Sequence, residues 1–524
     1  MLSQLNWTKK SDLSPRIRRA TKRSRRRNRR GAYLAMFTVS LTLFFGILAM
    51  VYDLALINYT WRHCQNAADA AALAGGKKII EGNQSSVSNP KALEYLATLN
   101  NTDSTIADIH SPPTSGPYAN VEGYLEIIAR KRVHTLFLRL SPFSKSYIDV
   151  TARAVAGAEA FLPEDGVITL NPNARPGLSV SGSAALKVNG RIAVNSEGGG
   201  VDEYGNAVNN GNNGVAISGG SPNSEKGVFA RIIDSVGGVD NPSVFKPLIP
   251  GEVPPLHTKV QPEPDPYLNV VTPMASNGLD ARLRGSVSVT NNNVTGLNSD
   301  TTGQNHRATN NESVAGGLYS AALGDVILYP GIYDSISITG GKVYFVPGIY
   351  VLRSLKANQD VLKLTGGTVI AEGLMFYNTG GNFNPTTGLP DSTDLTSPPP
   401  SAATTTFGST AINSSFHTSP IDTTKYNYSS LYSGAKAISK DFNGMMFYQR
   451  RHNTQVLSIT GNTSETSLTG TFYGKWMPIS ISGQGKYDAQ FVVSDMKVTG
   501  SGVVEVTAGN NSPKAMGKSV YLVE

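Results

Sequence analysis

The chain has 524 residues, of which 40% are apolar and 16% charged, so it is long enough for two or three domains with buried cores. Its net charge of +8 suggests a nucleic-acid surface, but residues 1–30 hold twelve Lys/Arg against one Asp, leaving −3 for everything after them. The basicity belongs to one arm. The lone cysteine, Cys64, excludes an internal disulfide and leaves a packing role or an intermolecular thiol.

In chain order, the basic arm 1–30 ends in "RIRRATKRSRRRNRR" and is followed at once by "AYLAMFTVSLTLFFGILAMVY", Ala32 to Tyr52, which carries no charge. Twenty or so apolar residues match the thickness of a hydrocarbon core, so residues 31–52 are predicted to form a transmembrane helix. The Lys/Arg cluster on its N-terminal side predicts a cytoplasmic N-terminus with the bulk of the chain outside the cytoplasmic membrane. Topology and anionic lipid explain the arm better than nucleic acid does. The stretch is too long for a signal-peptide core and lacks a small-residue cleavage site directly behind it, which predicts a retained anchor.

Residues 53–80 are predicted to continue as a helix. Asp53 to Ala74 contains no Pro or Gly and is rich in alanine, Gly75-Gly76 offers a C-cap, and Lys77-Lys78 suits the negative end of the dipole. Such a helix projects about 33 Å at about 1.5 Å per residue. From Ala67 to Ala74 only Asp69 and Leu73 are not alanine, so most of its surface is smooth and open to close packing. The occupant of that face is either the next domain of the same chain or a helix of another molecule.

Arg30-Gly31 ahead of an apolar helix, Val51-Tyr52-Asp53 near its end, and the run from Gln65 to Gly75, "QNAADAAALAG", resemble the N-terminal module of the TadE/TadG-like Flp pilus-assembly family. The resemblance covers about residues 28–78. It implies association with a Flp/Tad-type pilus or its secretion apparatus, with the smooth helix as docking face: Asp53 and Asp69 as polar marks, together with Gln65, Asn66, Ala68, Ala71, Ala72 and Gly75. It also implies a small α+β pilin-like domain over 81–162, in which "GYLEIIARKRV" and "YIDVTARAVAGAEAF" form strands around a short helix, "HTLFLRL". Pilin-type processing is not expected, because the fifth residue after Gly31 is Met36 rather than Glu. Nor is the von Willebrand type A metal site found in some TadG-like proteins, since Asp334 to Ile338 lacks the third-position Ser of D-x-S-x-S.

From 163 to 524 short β-type strings ending in glycine recur: "GLSVSG", "VAISGG", "ISITGG", "LKLTGG", "LSITG", "ISISG" and "MKVTG". "YPGIY" at Tyr329 and "VPGIY" at Val346 repeat as well. A loose period near 20 with uneven gaps predicts a mainly-β, right-handed parallel β-helix, or solenoid, in preference to an antiparallel sandwich. Low-complexity insertions are predicted at about 290–312 and 382–440, unable to bury a core.

Catalysis is not expected. The carboxylates that could do acid/base work, Glu263 with Asp265 and Asp391 with Asp394, fall in a Pro-rich link and an insertion. No histidine has metal-ligand spacing, and no nucleophile elbow or phosphate loop occurs. No cofactor or metal is therefore expected. Arg450, Arg451 and His452 form the one compact cationic cluster outside the arm, a possible polyanion contact or a solvated loop. The expectation is a single-pass bacterial envelope protein of the Flp/Tad pilus or secretion system exposing a non-catalytic solenoid. Its rivals are a membrane-tethered adhesin or glycan-binding protein without a pilus partner, and a β-helix polysaccharide lyase or hydrolase.

Overall fold

A computed structural model describes residues 15–80, 92, 94, 108–121, 123–135, 137, 147–161, 165–209, 214–220, 226–291, 293–297, 303–356, 359–391, 406–507, 515 and 517–523, with side chains in α1 described from Tyr33 to Ile79. The chain divides into two units, Met1–Ala158 with Val520–Glu524, and Glu159–Ser519.

In the first unit the helix α1 (Pro15–Ile80) runs 66 residues without a break. Proline suits a first helical position because its missing N–H has no helical partner there. The backbone of the basic arm from Pro15 onward is thus continuous with the apolar helix. The C-cap expected at Gly75-Gly76 is corrected: both glycines are buried within the helix, which continues to Ile80. Packing against a sheet outweighs the roughly 1 kcal/mol preference of each glycine for leaving a helix.

That sheet contains β1 (Asp108–His110), β2 (Tyr124–His134), β3 (Tyr147–Phe161) and the final strand Gly517–Leu522, in that spatial order. β1 and β3 both pair antiparallel with β2, and Ile127 lies opposite Ala154. Leu125, Ile127 and Ala129 alternate inward along β2, the period-2 pattern of a strand with one buried face. The short helix expected over 134–140 falls largely outside the described residues; His134 closes β2.

The second unit is β throughout, with a few single-turn 3-10 helices. It begins with β4 (Asp165–Thr169), β5 (Leu178–Gly182) and β6 (Ala185–Val194). Pairing in its large sheet is parallel except for a few short hairpins, and follows three ladders. In the first, Val287, Ile336, Leu362, Thr410 and Leu457 pair in succession, as do Met496, Leu178 and Ile217. In the second, Val351, Tyr377, Tyr448 and Tyr473 are in line, as are Val492, Ile168, Ala193, Asp234 and His257. The third aligns Ile327, Tyr344, Ile370 and His417, and then Lys486, Glu505, Lys187, Phe229 and Lys246.

Side chains pointing inward from the ladders, such as Val180, Leu186, Ile336, Leu362, Phe376 and Phe447, form one large core. Strands buried on both faces read as near-continuous apolar runs, as in Met445–Gln449, where every residue is buried. The second burial layer corrects the expected insertion at 382–440: Phe383, Ile421, Tyr426 and Tyr428 cover the outer face of the second ladder beside Met375 and Tyr377. Ser409–Asn413 is itself a strand of the first ladder. Within 290–312, Asn305 and His306 are likewise buried. Residues 298–302 and 392–405 lie outside the described set.

The order of strands in space is not the order in the chain. Of the early strands, β4 pairs with β6, β6 in turn with 227–235, and β5 with 217–218, while on the other side they meet the C-terminal runs, Phe491 to Val167, Met496 to Leu178 and Val504 to Leu186. The segment 259–282 links Leu256–Thr258 to Leu283–Thr290, which pairs with Gly331–Phe345. Beginning and end of the unit therefore meet in the middle of the stack.

Candidate functional site

Between Tyr33 and Tyr52, α1 presents apolar side chains outward; Tyr33, Leu34, Met36, Phe37 and Leu43 are each more than 60% exposed. Thr38 and Thr42 donate their hydroxyls back to the carbonyls of Leu34 and Thr38 at 3.1 and 3.0 Å, so neither leaves an unsatisfied group in an apolar setting. Among the described residues this is the one helix long and apolar enough to cross a membrane.

Past Tyr52 the helix changes character. Asp53 is buried and accepts the backbone N–H of Phe137 at 2.9 Å. Ala67, Ala68, Ala71 and Ala72 are fully buried against Leu125, Ile127, Ala129, Ala154 and Ala156. Methyl side chains let the sheet come close to the helix backbone, which larger residues would prevent. Gln65 donates to Asp69 at 2.8 Å and to the carbonyl of Arg153 at 3.0 Å, tying the helix to β3. The expected docking face is thus covered by the chain's own sheet: Ala68, Ala71, Ala72 and Gly75 are sealed, and only Asn66 of that set is exposed. Cys64 is buried too, in a packing role.

Residues 31–78 match the family model "Tad: Putative Flp pilus-assembly TadE/G-like". The N-terminal segment is TadE/G-like. No curated protein and no solved structure matches the chain. The TadE/G-like match spans the apolar stretch and the alanine face together, and it ends two residues before α1 does.

Beside the TadE/G-like helix, the sheet carries a buried carboxylate that composition did not reveal. Glu126 accepts the backbone N–H and the hydroxyl of Thr114 at 2.9 and 2.7 Å, the hydroxyl of Ser115 at 2.7 Å, and Arg153 Nε at 2.6 Å. Burial pushes its pKa up, but the donors from Ser115, Thr114 and Arg153 win and hold it at about 2. Arg153 also donates to the carbonyl of Ser115 at 2.8 Å, so this ion pair locks the loop 111–121 onto β2 and β3.

In the second unit the cationic cluster lies inside, which corrects its reading as a polyanion contact or solvated loop. Arg451 is fully buried, and its Nη2 donates to the carbonyls of Tyr267, Leu268 and Val270 at 3.2, 2.7 and 2.9 Å. Arg450, also buried, donates to Asn382 at 2.8 Å and lies over the Phe407 ring, while His452 is half-buried. Asp391 is enclosed as well, accepting the hydroxyls of Tyr377 and Tyr448 at 2.9 and 3.1 Å and the backbone N–H of Arg451 at 3.2 Å. The rings of Tyr377, Tyr448 and Tyr473 follow one another at 5.0 and 5.4 Å. Burial, with the neighbouring carboxylates, pushes all three phenols well above their usual range, so they act as neutral donors. Tyr473 donates to Asp265 at 3.0 Å, and burial raises the Asp265 pKa. The whole arrangement fastens the crossing segment 259–282 to the second ladder.

Glu263 belongs to a second cluster, which sequence reading missed. Arg191 meets Glu263 at 2.8 Å, Asp234 at 2.6 Å and Asp165 at 3.3 Å, and His257 lies 3.0 Å from Asp234. Burial is the main cause that pushes Asp165 up to about 6; Glu263 and Asp234 add to it while Arg191 opposes. These groups are dozens of residues apart in the chain, and only the register of β4, β6 and 227–235 aligns them. Asp394 lies outside the described residues. Among the described residues no three His, Cys, Asp or Glu side chains converge as a metal site would need.

Proposed function

We propose that the protein is a single-pass cell-envelope component of a Flp/Tad-type pilus-assembly or secretion system. In this reading residues 1–30 lie in the cytoplasm, α1 crosses the membrane over residues 31–52, and the chain from Asp53 onward lies outside it. The observation that carries the proposal is the coincidence of the TadE/G-like match, 31–78, with the exposed apolar helix and the alanine face behind it. The charge asymmetry, +11 before Gly31 and −3 after, supports the orientation. The large unit is proposed to be a right-handed parallel β-helix, the hand that parallel crossovers almost always take. A non-catalytic role is supported by the fate of the candidate carboxylates: Glu263, Asp265 and Asp391 are each engaged in internal bonds. Any pilus partner must use surfaces other than the alanine face, for example Tyr59 and Leu73, which α1 leaves exposed.

Photo-crosslinking in cells from positions 59 and 73, read by mass spectrometry, tests this. Pilus or secretion-platform proteins in the captured set are the expected result. Capture of none of them from either position, in cells assembling the pilus, would remove the basis of the proposal.

A further inference from the structure

The outer side of the third ladder carries a row of charge and aromatic surface that neither the anchor nor the buried clusters use. Lys187, Phe229 and Lys246 sit on three successive strands in direct register. The Nζ of Lys187 and of Lys246 lie 5.8 and 5.5 Å from the Phe229 ring centroid. Lys226 joins them at the corner, donating to Ser183 Oγ at 2.9 Å and having its carbonyl accept from Lys246 at 3.3 Å. Lys187, Lys226 and Phe229, with Ser183, Pro247 and Ser501, line a groove of about 460 Å³, and Lys246 flanks it beside Phe229. The next residue along the row, Glu505, is the row's one carboxylate and is engaged by Lys486 at 3.3 Å. Among the described residues the lining of the groove is therefore net positive, through Lys187 and Lys226.

We infer that this groove binds a linear acidic polysaccharide, with acidic groups of the glycan on Lys187, Lys226 and Lys246 and the apolar face of one sugar ring against Phe229. The ladder sets the spacing. Strands lie about 4.8 Å apart, so Lys187 and Lys246, two strands apart, are roughly 10 Å from one another. That separation suits charges on alternate sugars of an extended chain. It is also fixed by parallel backbone pairing, so the cations are arrayed before the ligand arrives and binding orders little. Ser183 and Ser501 add hydroxyls where a hydroxyl-rich polymer needs hydrogen-bond partners. A single-stranded nucleic acid calls for successive aromatic platforms, and this row has one ring. A bilayer surface would meet the rim of a groove and leave its floor unused.

The test uses the full chain in detergent micelles, with polygalacturonate as probe and neutral dextran as control. Polygalacturonate is expected to bind and dextran not to, with affinity falling as salt is raised. The double variant K187Q/K246Q is expected to weaken binding about tenfold or more and F229A severalfold, while K497Q, an exposed lysine on the first ladder, leaves it unchanged. Circular dichroism and thermal melting check that the variants fold; should the double variant unfold, K226Q with the salt series on the unaltered chain decides. Absence of polygalacturonate binding, binding undiminished in folded variants, or a larger loss of affinity for DNA oligonucleotides or phosphatidylglycerol vesicles than for polygalacturonate would each overturn the assignment. None of these readouts depends on a pilus partner.

Discussion

Two carboxylates illustrate how single residues set opposite pH slopes in the two units. Glu126 has a folded pKa of about 2 against an ordinary 4.5, so its contribution is present above 4.5 and is lost as pH falls toward 2. Glu126→Gln is expected to cost on the order of 3 kcal/mol at neutral pH, from a shift of about 2.5 pKa units at about 1.4 kcal/mol each. Denaturant unfolding at pH 7 and pH 3 checks this, and the variant's stability should change less between them. Asp165 has its pKa raised from 3.8 to about 6, so its contribution to stability is present below 3.8 and fades as pH rises through 6. Asp165→Asn should therefore melt no lower than the unaltered chain at pH 7 and show a flatter stability profile between pH 4 and 7. A lower melting temperature at pH 7 would mean that the contact with Arg191 outweighs the burial of the charge.

At the scale of elements, close approach decides most of what the sequence pattern left open. The alanine run on α1 announced a smooth surface, yet whether that surface met its own sheet or another molecule depended on the strands β2 and β3, far along the chain. Ala71 packs with Leu125 and Ile127. Ala71→Phe is expected to overpack that interface by about 1–3 kcal/mol, read as earlier protease cleavage within 108–161 with membrane insertion unchanged. The glycine-ended strings have a comparable cause. Gly461, Gly483 and Gly500 take positive φ at successive corners, and a Cβ on Gly483 would stand 2.1 Å from the carbonyl oxygen of Gly461. Gly483→Ala should lower the melting temperature of the β unit by several degrees, since the left-handed conformation alone costs about 1–2 kcal/mol before the clash is counted.

For the β unit as a whole, the meeting of first and last strands is the dominant feature. Pairs such as Val167 with Phe491 and Leu186 with Val504 join residues more than 300 apart. Closing so long a loop is entropically costly and slow, so the unit is expected to fold late and as one body. Arg451 is the fastening point of the crossing segment, with three carbonyls from 267–270 on one nitrogen. Arg451→Met leaves those carbonyls and Asp391 without a buried cation, a loss of about 3–5 kcal/mol. Hydrogen exchange should then quicken first in 259–282 and afterwards at the pairing of β4 with 491–493; exchange quickening equally throughout the unit would argue against a local fastening role.

Local composition was enough for the anchor. An uncharged stretch of bilayer length behind twelve basic residues, followed by an alanine run, is information held within about 80 consecutive residues, of which the TadE/G-like match covers 31–78. Alternating apolar strings with glycine corners likewise made the β character of 163–524 legible, because side-chain period and corner conformation are local properties. The interior sites were of another kind. Arg450, Arg451 and Asp391 were visible as charges but read as solvent-facing, since nothing near them in the chain shows that 259–282 and Tyr377, Tyr448 and Tyr473 close over them. The Arg191 cluster and the Lys187, Phe229, Lys246 row exist only through strand register, and register between strands dozens of residues apart is fixed by packing of the whole core. Sequence alone therefore determined which segments are membrane-apolar, helical or β, whereas tertiary structure decided which charges are buried, which face of α1 is covered and which residues stand side by side.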